Sequence, residues 1–409
     1  MEERIVLDEG RFLADLEELG GIGAAPGEGR TRLALSDEDG EARRWLVRRM
    51  EELGLEIRVD GSGNLFGILP GEEGTEAPVT AGSHLDTVIR AGALDGAYGV
   101  LGALAVLRGV RESGTRLRRP LAVAAFTNEE GVRFQPDMMG SLVLSGRLPL
   151  EEALAARDRE GLRAGEELER LGFRGTDRVT PGAYLELHIE QGPRLEDAGA
   201  RIGVVEGIQG IAWWGCTYRG QANHAGTTPM DRRRDAFAGV ADLSRSLREL
   251  AARVPSSVAT LGRVEVRPGA INVVPGRVDF TVDVRAEAPE SFGRLKEEVP
   301  RLLREAADRH ALELEAEALA DAPPVRFPRE MTDLVDSCAR GETDRVLRLA
   351  SGAGHDAQFL HFLCPTAMIF VPSRGGLSHC PEEHTEAEDL LRGVRVLARG
   401  LIALAQREA

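Results

Sequence analysis

The chain has 409 residues, more than one ordinary core accommodates, and its 42% hydrophobic and 29% charged residues are those of a globular protein with two domains. A net charge of -16 offers no basic face for neutralising phosphates, which argues against nucleic acid as a partner. The most apolar stretch, residues 98–107, is closed by Arg108 and is too short to span a bilayer, so no membrane partner is expected.

The chain opens Met-Glu-Glu-Arg-Ile-Val, with no apolar stretch behind a basic start, so no secretion signal is expected. Residues 10–19 carry a helical pattern, and residues 20–30 form a glycine-rich loop. A second helix opens at Ser36-Asp37-Glu38-Asp39, a cap with an acidic first turn, and places Ala42, Leu46 and Met50 at helical spacing. Residues 55–59 and 64–69 read as a strand pair around Asp60-Gly61-Ser62-Gly63. Residues 78–83 form a buried strand running into His84. A small-residue helix follows over 100–111, and residues 121–127 are an apolar strand ending at Asn128-Glu129-Glu130. This order is α/β, a class in which sites form outside the carboxyl ends of the strands.

Residues 148–171 are charged and helical. They lead to a strand over 183–190 that alternates Tyr184, Leu185, Glu186 and Leu187, then presents His188 and Glu190. Composition changes near Gly210. From there the order is strand (212–219), helix (236–252), strand (259–266), strand (277–286), helix (290–310) and strand (313–318). That βαββαβ order is a ferredoxin-like unit. The chain therefore divides into one domain of residues 1–210 and 324–409 and an inserted domain of residues 211–323. It returns through Asp321-Ala-Pro-Pro to a helix, the turn Gly352-Ala353-Gly354-His355-Asp356, a strand over 367–371, a loop over 372–385 and a last helix from 387. Cys216, Cys338, Cys364 and Cys380 are scattered, which suits reduced cytoplasmic thiols and excludes a Cys-x-x-Cys zinc ribbon.

Four histidines, His84, His188, His224 and His379, sit where a strand pattern gives way to a turn or polar loop. Any one of them alone is unremarkable in a globular protein. The joint presence of His84-x-Asp86, Asp95-Gly96 and Glu129-Glu130 points to metal. Imidazole and carboxylate are the ligands that divalent ions near a catalytic water take, and two ions about 3.5–4 Å apart need one carboxylate to bridge them. Asp86 is spaced to hold the other nitrogen of His84. Asp95, before a glycine, suits the bridge. Glu129 and Glu130 point opposite ways on an extended chain, so one can bind metal while the other meets the water. These residues read as half of a binuclear hydrolase site.

Seven blocks carry a resemblance: Gly82-Ser-His-Leu-Asp-Thr-Val, Thr127-Asn-Glu-Glu-Gly, Glu186-Leu-His-Ile-Glu-Gln-Gly-Pro, Gly220-Gln-Ala-Asn-His-Ala-Gly-Thr-Thr-Pro-Met, Ala270-Ile-Asn-Val-Val-Pro-Gly, Ser351-Gly-Ala-Gly-His-Asp-Ala and Ser378-His-Cys-Pro-Glu-Glu-His-Thr. In this order the chain resembles the M20-type metallo-aminoacylases, in the branch of N-carbamoyl-L-amino-acid hydrolases, β-ureidopropionases and allantoate amidohydrolases. The resemblance implies a zinc-exopeptidase-like catalytic domain whose inserted ferredoxin-like domain serves as lid and dimerisation module of a homodimer. It implies that His84, Asp95, Glu130, His188 and His379 hold two divalent ions per subunit, with Asp95 bridging. Zinc comes first, and manganese, cobalt and nickel also suit the set. Glu129 is then the general base, and His224 reaches across the dimer to the tetrahedral oxyanion. His379 is preferred to His384 because the family's ligand follows a serine, and a Cys380 thiolate is softer than these sites use.

Substrate contacts follow in the same way. Arg285 shares a strand face with Asp279, Thr281 and Asp283, and reads either as an ion pair with a neighbouring aspartate or as a bidentate clamp on an α-carboxylate. The resemblance favours the clamp, with Asn272 as an amide partner. It places Gln191 at the ureido end. Gly375 and Gly376, in the loop before His379, read either as bringing backbone N–H groups to the carboxylate or as serving only the turn. His355-Asp356 reads as a loop-ordering pair, and His310 and His361 as surface or core residues. The expected function is hydrolysis of the carbamoyl C–N bond of an N-carbamoyl-L-amino acid by a cytoplasmic enzyme. Allantoate is the alternative substrate. A general M20 aminoacylase or dipeptidase and a non-catalytic binding homologue are the remaining readings.

Overall fold

The computed structural model describes residues 5–72 and 77–407. Residues 1–4, on which the reading of the chain's start partly rests, lie outside the described residues. The chain splits into two compact units: one runs to Glu206 and resumes at Phe327, and the other is Gly207–Arg326.

At the centre of the first unit's sheet four strands run parallel, in the order Thr366–Val371, Ala183–Ile189, Val79–His84, Leu121–Phe126. Every residue of the four is buried. Their apolar and small side chains suit parallel strands covered on both faces. Leu65–Leu69 and Glu56–Val59 extend the sheet by antiparallel pairing beyond Leu121–Phe126, and Ile202–Ile208 does so beyond Thr366–Val371, with Val346–Ser351 paired to Ile202–Ile208. Helices Ala97–Ser113 and Ala387–Ala405 pack on the parallel strands and on each other, joined by the Tyr98 hydroxyl on the Leu390 carbonyl at 2.7 Å. All four parallel strands end on one edge. Whatever follows His84, Phe126, Ile189 and Val371 is therefore gathered there.

Helix Asp37–Glu52 supports that edge from below the loops. Its Ser36 cap accepts from the Asp39 N–H at 3.3 Å, and acidic residues fill the first turn. Asp39 pairs with the buried Arg43 at 2.8 Å. Arg43 then donates to the Gly63 carbonyl at 2.7 Å and to Thr127 Oγ1 at 3.2 Å. An arginine held in this way anchors the residue just before Asn128-Glu129-Glu130. Breaking such a buried pair typically costs about 3–5 kcal/mol.

One local expectation changes, and one strand was not expected. Residues 148–171 are two short helices, Leu150–Ala155 and Ala164–Leu171, rather than one helical segment. Between them Asp158 Oδ1 accepts the N–H groups of Glu160 and Leu162, and Gly161 takes φ +87°, which closes a turn. The strand Ile202–Ile208 carries no clear alternating signal because Gly203 interrupts it. A Cβ there would sit 2.9 Å from Phe370 Cβ, so the glycine permits the close strand approach.

The second unit is an antiparallel four-stranded sheet in the order Ser257–Arg267, Arg277–Ala286, Gly210–Arg219, Glu313–Ala322. Helices Ala236–Arg253 and Pro289–Arg309 share its apolar core with Val278, Phe280, Val282 and Val284. Asp279, Thr281, Asp283 and Arg285 alternate with these and turn to the other face. Among the described residues no helix is long and apolar enough to cross a membrane.

Candidate active site

His84 is the last residue of its strand, and its Nδ1 lies 2.9 Å from the Asp86 carbonyl oxygen. His188 is fixed in the same manner, with Nδ1 2.9 Å from the Ile189 carbonyl oxygen. A ring that donates through Nδ1 keeps the lone pair on Nε2. The Gly96 N–H donates to His188 Nε2 at 3.2 Å, which marks that atom as an acceptor. Both Nε2 atoms meet at Asp95. Its Oδ1 is 3.2 Å from His188 and 3.5 Å from His84. Its Oδ2 is 3.0 Å from Nε2 of His379, which arrives on the loop after Val371.

The two glutamates divide in the same sense. Glu129 Oε2 lies 3.5 Å from His84 Nε2, and Glu130 Oε2 lies 3.6 Å from His379 Nε2. They sit on a turn, not on an extended chain: Asn128 takes φ +55°, and its amide donates to the Phe134 and Pro136 carbonyls at 3.0 Å. Donor atoms of His84, Asp95 and His188 lie within 4.8 Å of one another, as do those of Asp95, Glu130 and His379. Both groups offer imidazole nitrogen and carboxylate oxygen, the donors that zinc and its neighbours take. Glu130 Oε1 is buried without a hydrogen-bond partner, an acceptor that a cation would satisfy. A further group, Glu186 with His188 and His355, is a weaker candidate. The Glu186 oxygens are already taken by Ser83 Oγ at 2.7 Å and the Ala357 N–H at 2.9 Å.

The electrostatics match this donor set. Burial raises Asp95, but its close contacts with the imidazoles of His188, His379 and His84 outweigh it and hold the carboxyl well below the usual range. Burial pushes Glu129 well up and Glu130 to about 8, with Asp95 adding repulsion to the latter. Asp95 raises His379 to about 9. His355, packed edge-on against His188 at 4.6 Å, is pushed well below its ordinary range by burial and stays neutral.

Asp86 differs from expectation. Its carboxylate stands 4.0 Å from His84 Nδ1, which the Asp86 carbonyl already occupies. The carboxylate instead accepts the N–H groups of Glu129 and Glu130, each at 3.3 Å. Asp86 therefore orients His84 through its backbone and the two glutamates through its side chain. Gln191, at φ +58°, donates to Asp95 Oδ2 at 2.9 Å, and its buried Oε1 has no hydrogen-bond partner. His384 stands beside Glu386 at 3.7 Å, while His379 meets Asp95.

Gly376 is corrected. Its N–H donates to the Ser373 carbonyl at 3.0 Å within a tight turn, and the Gly375 N–H donates to Glu196 at 2.8 Å. Neither group points to a ligand; the glycines serve the turn, where both take positive φ.

His224, Asn272 and Arg285 belong to the second unit. His224 and Asn272, both exposed, sit together at a two-strand pairing, Asn223–His224 with Val273–Val274, where the Asn272 carbonyl accepts from the Ala225 N–H at 2.9 Å. His224 Nδ1 accepts from the Gly226 and Thr227 N–H groups at 3.0 and 3.2 Å. Its proton is therefore on Nε2. Arg285 lies against Asp283, with Nη2 3.0 Å from Oδ2.

Sequence reasoning passed over Ser378 and Glu383. Ser378 Oγ is 3.3 Å from Asp95 Oδ2 and 2.7 Å from Glu383 Oε2, while Glu383 Oε1 accepts the Leu94 and Asp95 N–H groups at 2.8 and 3.2 Å. Both residues lie inside a recognised block, but nothing in spacing separates the buried Glu383 from the exposed Glu382 beside it.

Gly96 offers a direct check of the His84 placement. It takes φ +65°, and a Cβ there would lie 2.5 Å from His84 ring atoms. Gly96→Ala is expected to weaken divalent-metal binding roughly 10–100-fold, read by calorimetric titration of the metal-free protein. An unchanged affinity would remove His84 from the metal group.

The family model described as Peptidase family M20/M25/M40 matches residues 69–403. An N-carbamoyl-L-amino acid amidohydrolase of Geobacillus stearothermophilus is 38% identical over 97% of this chain and 99% of its own. An allantoate amidohydrolase of Escherichia coli is 37% identical over 95% of this chain and 96% of its own. A crystal structure of an amidase of the hydantoinase/carbamoylase family from Burkholderia multivorans superposes with a TM-score of 0.94 at 38% identity, covering 99% of this chain and 100% of that one. The chain belongs to peptidase family M20/M25/M40, in its hydantoinase/carbamoylase branch.

Proposed function

We propose that the protein hydrolyses the carbamoyl C–N bond of N-carbamoyl-L-amino acids, with two divalent metal ions per subunit, zinc first among them. The observation that carries this reading is the division of Asp95: one oxygen faces His84 and His188, the other His379, with Glu129 and Glu130 at the two sides. When bound, a pair of such ions polarises the scissile carbonyl and acidifies water.

The remaining steps belong to the chain's own side chains. Glu129, buried and made basic by its surroundings, takes the proton of the attacking water and passes it to the leaving nitrogen. The orphaned Gln191 Oε1 accepts from the terminal ureido NH₂ group, which favours a carbamoyl substrate over a plain acyl one. Arg285 and Asn272 hold the substrate carboxylate, with Asp283 keeping the guanidinium aligned until substrate displaces it. His224 presents Nε2–H to the oxyanion in the active site of a second copy. In this reading the second unit, with its βαββαβ order, is a ferredoxin-like lid and dimerisation domain of a cytoplasmic homodimer. Allantoate is the second substrate reading. It too carries a carboxylate and a ureido carbon, and the Escherichia coli relative named for it is nearly as similar.

Ammonia release by the metal-loaded protein decides among N-carbamoyl-L-amino acids, N-carbamoyl-β-alanine and allantoate. The N-carbamoyl-L-amino acids are expected to give the highest kcat/KM, and Glu129→Gln to lower kcat roughly 10²–10⁴-fold while keeping its metal. Near-normal turnover by Glu129→Gln with full metal would reassign the base. Dimers mixed from Glu129→Gln and His224→Ala subunits are expected to regain part of the activity that each homodimer lacks. Mixed dimers as inactive as either parent would show that His224 does not act on a second copy.

A further inference from the structure

We propose that Glu383 is the positioning residue that sets Asp95 and His379 against each other. The inference rests on the reading of Asp95 as a metal ligand. Asp95 and His379 come from loops 283 residues apart at their joined ends, Asp95 and Ser378. One buried carboxylate spans both loops. Its Oε1 accepts from the main-chain N–H groups of Leu94 and Asp95, and its Oε2 accepts from the hydroxyl of Ser378, the residue before His379. Glu383 is only 8% exposed, so these bonds are made away from competing water. Its own N–H donates to the Cys380 carbonyl at 3.2 Å, which closes the turn that follows His379.

The space for this contact is provided by Gly92. A Cβ at Gly92 would fall on Glu383 Oε1, Cβ and Cδ, so the Asp95 loop passes over the carboxylate with no room for a side chain. Neither partner has a role in chemistry in the proposed mechanism. Their joint effect is on the direction of the Asp95 oxygens. With the Leu94 and Asp95 N–H groups held on one Glu383 oxygen and the Ser378 hydroxyl donating to the other, the Asp95 main chain and the residue before His379 keep one register, which leaves Ser378 Oγ 3.3 Å from Asp95 Oδ2.

Zinc titration of the metal-free full-length protein by calorimetry, with ammonia release at saturating zinc, tests the assignment. Glu383→Ala is expected to lower zinc affinity at least about tenfold and to lower kcat with KM unchanged. Gly92→Ala should do the same, because its methyl group displaces Glu383. Combined with Glu383→Gly, which removes all three of the atoms that the Gly92 methyl meets first, Gly92→Ala in this double variant should add little to the loss from Glu383→Gly alone. Glu383→Gln should recover to within about threefold, because its amide oxygen accepts the two N–H groups and its NH₂ meets Ser378 Oγ. Should Glu383→Ala not fold, Ser378→Ala, which removes the hydroxyl link alone, should lower zinc affinity by a smaller factor. Wild-type zinc affinity in Glu383→Ala, or additive losses in the double variant, would overturn the proposal. Asp95→Ala serves as the reference: if it loses zinc and Glu383→Ala does not, only this inference fails, and if Asp95→Ala keeps zinc, the metal reading itself fails.

Discussion

A single buried carboxylate governs the site. Asp95 turns its two oxygens to different imidazoles, and its charge draws three histidines into one cluster, with Glu129 and Glu130 at its two sides. Without cations, like charges and lone pairs within about 4 Å of one another are costly in a dry interior. The surrounding residues lower that cost by directing each atom. Carbonyl oxygens take Nδ1 of His84 and His188, Asp86 takes the N–H groups of Glu129 and Glu130, and Gln191 donates to Asp95.

The fold makes this arrangement possible through the common direction of four strands. Parallel strands end together, so His84, the Asn128–Glu130 turn, His188 with Gln191, and the loop carrying His379 all leave the same edge. Three non-glycine residues there, Asn128, Gln191 and His379, take φ between +55° and +58°. Each such backbone costs of order 1 kcal/mol and persists where surrounding contacts fix it. The contacts that fix these positions include the Asn128 amide on two carbonyls and the Gln191 N–H on Ser373 Oγ at 3.0 Å. Strain of this kind, confined to the chain that bears the functional side chains, is how the edge turns strand ends into a converging set.

Much of this was legible in the sequence because it depended on local pattern. Buried strands announce themselves as apolar runs, and His84, Glu130, His188 and His379 sit in blocks whose residue types already suit metal, with Asp95 before a glycine between two of them. What was not legible depended on three-dimensional competition for one atom. Asp86 could be placed beside His84 from spacing, but not the choice of its carbonyl over its carboxylate. Gly376 reads equally as a ligand-facing donor and as a turn residue, and only the bond from its N–H to the Ser373 carbonyl separates the two. Glu383 was invisible because a buried glutamate and the exposed Glu382 beside it read alike. Its meaning appears only when a loop almost 290 positions earlier in the chain folds over it. The strands Ile202–Ile208 and Val346–Ser351 escaped notice for a related reason: their pairing is set by neighbours, not by their own alternation.

The most direct test of the site is anomalous diffraction from crystals grown with zinc. Two peaks per subunit are predicted, one on the His84–His188 side of Asp95 and one on the His379–Glu130 side, with a different Asp95 oxygen toward each. A single peak, or two peaks of which one is out of reach of Asp95, would contradict the bridging carboxylate on which the proposed chemistry stands.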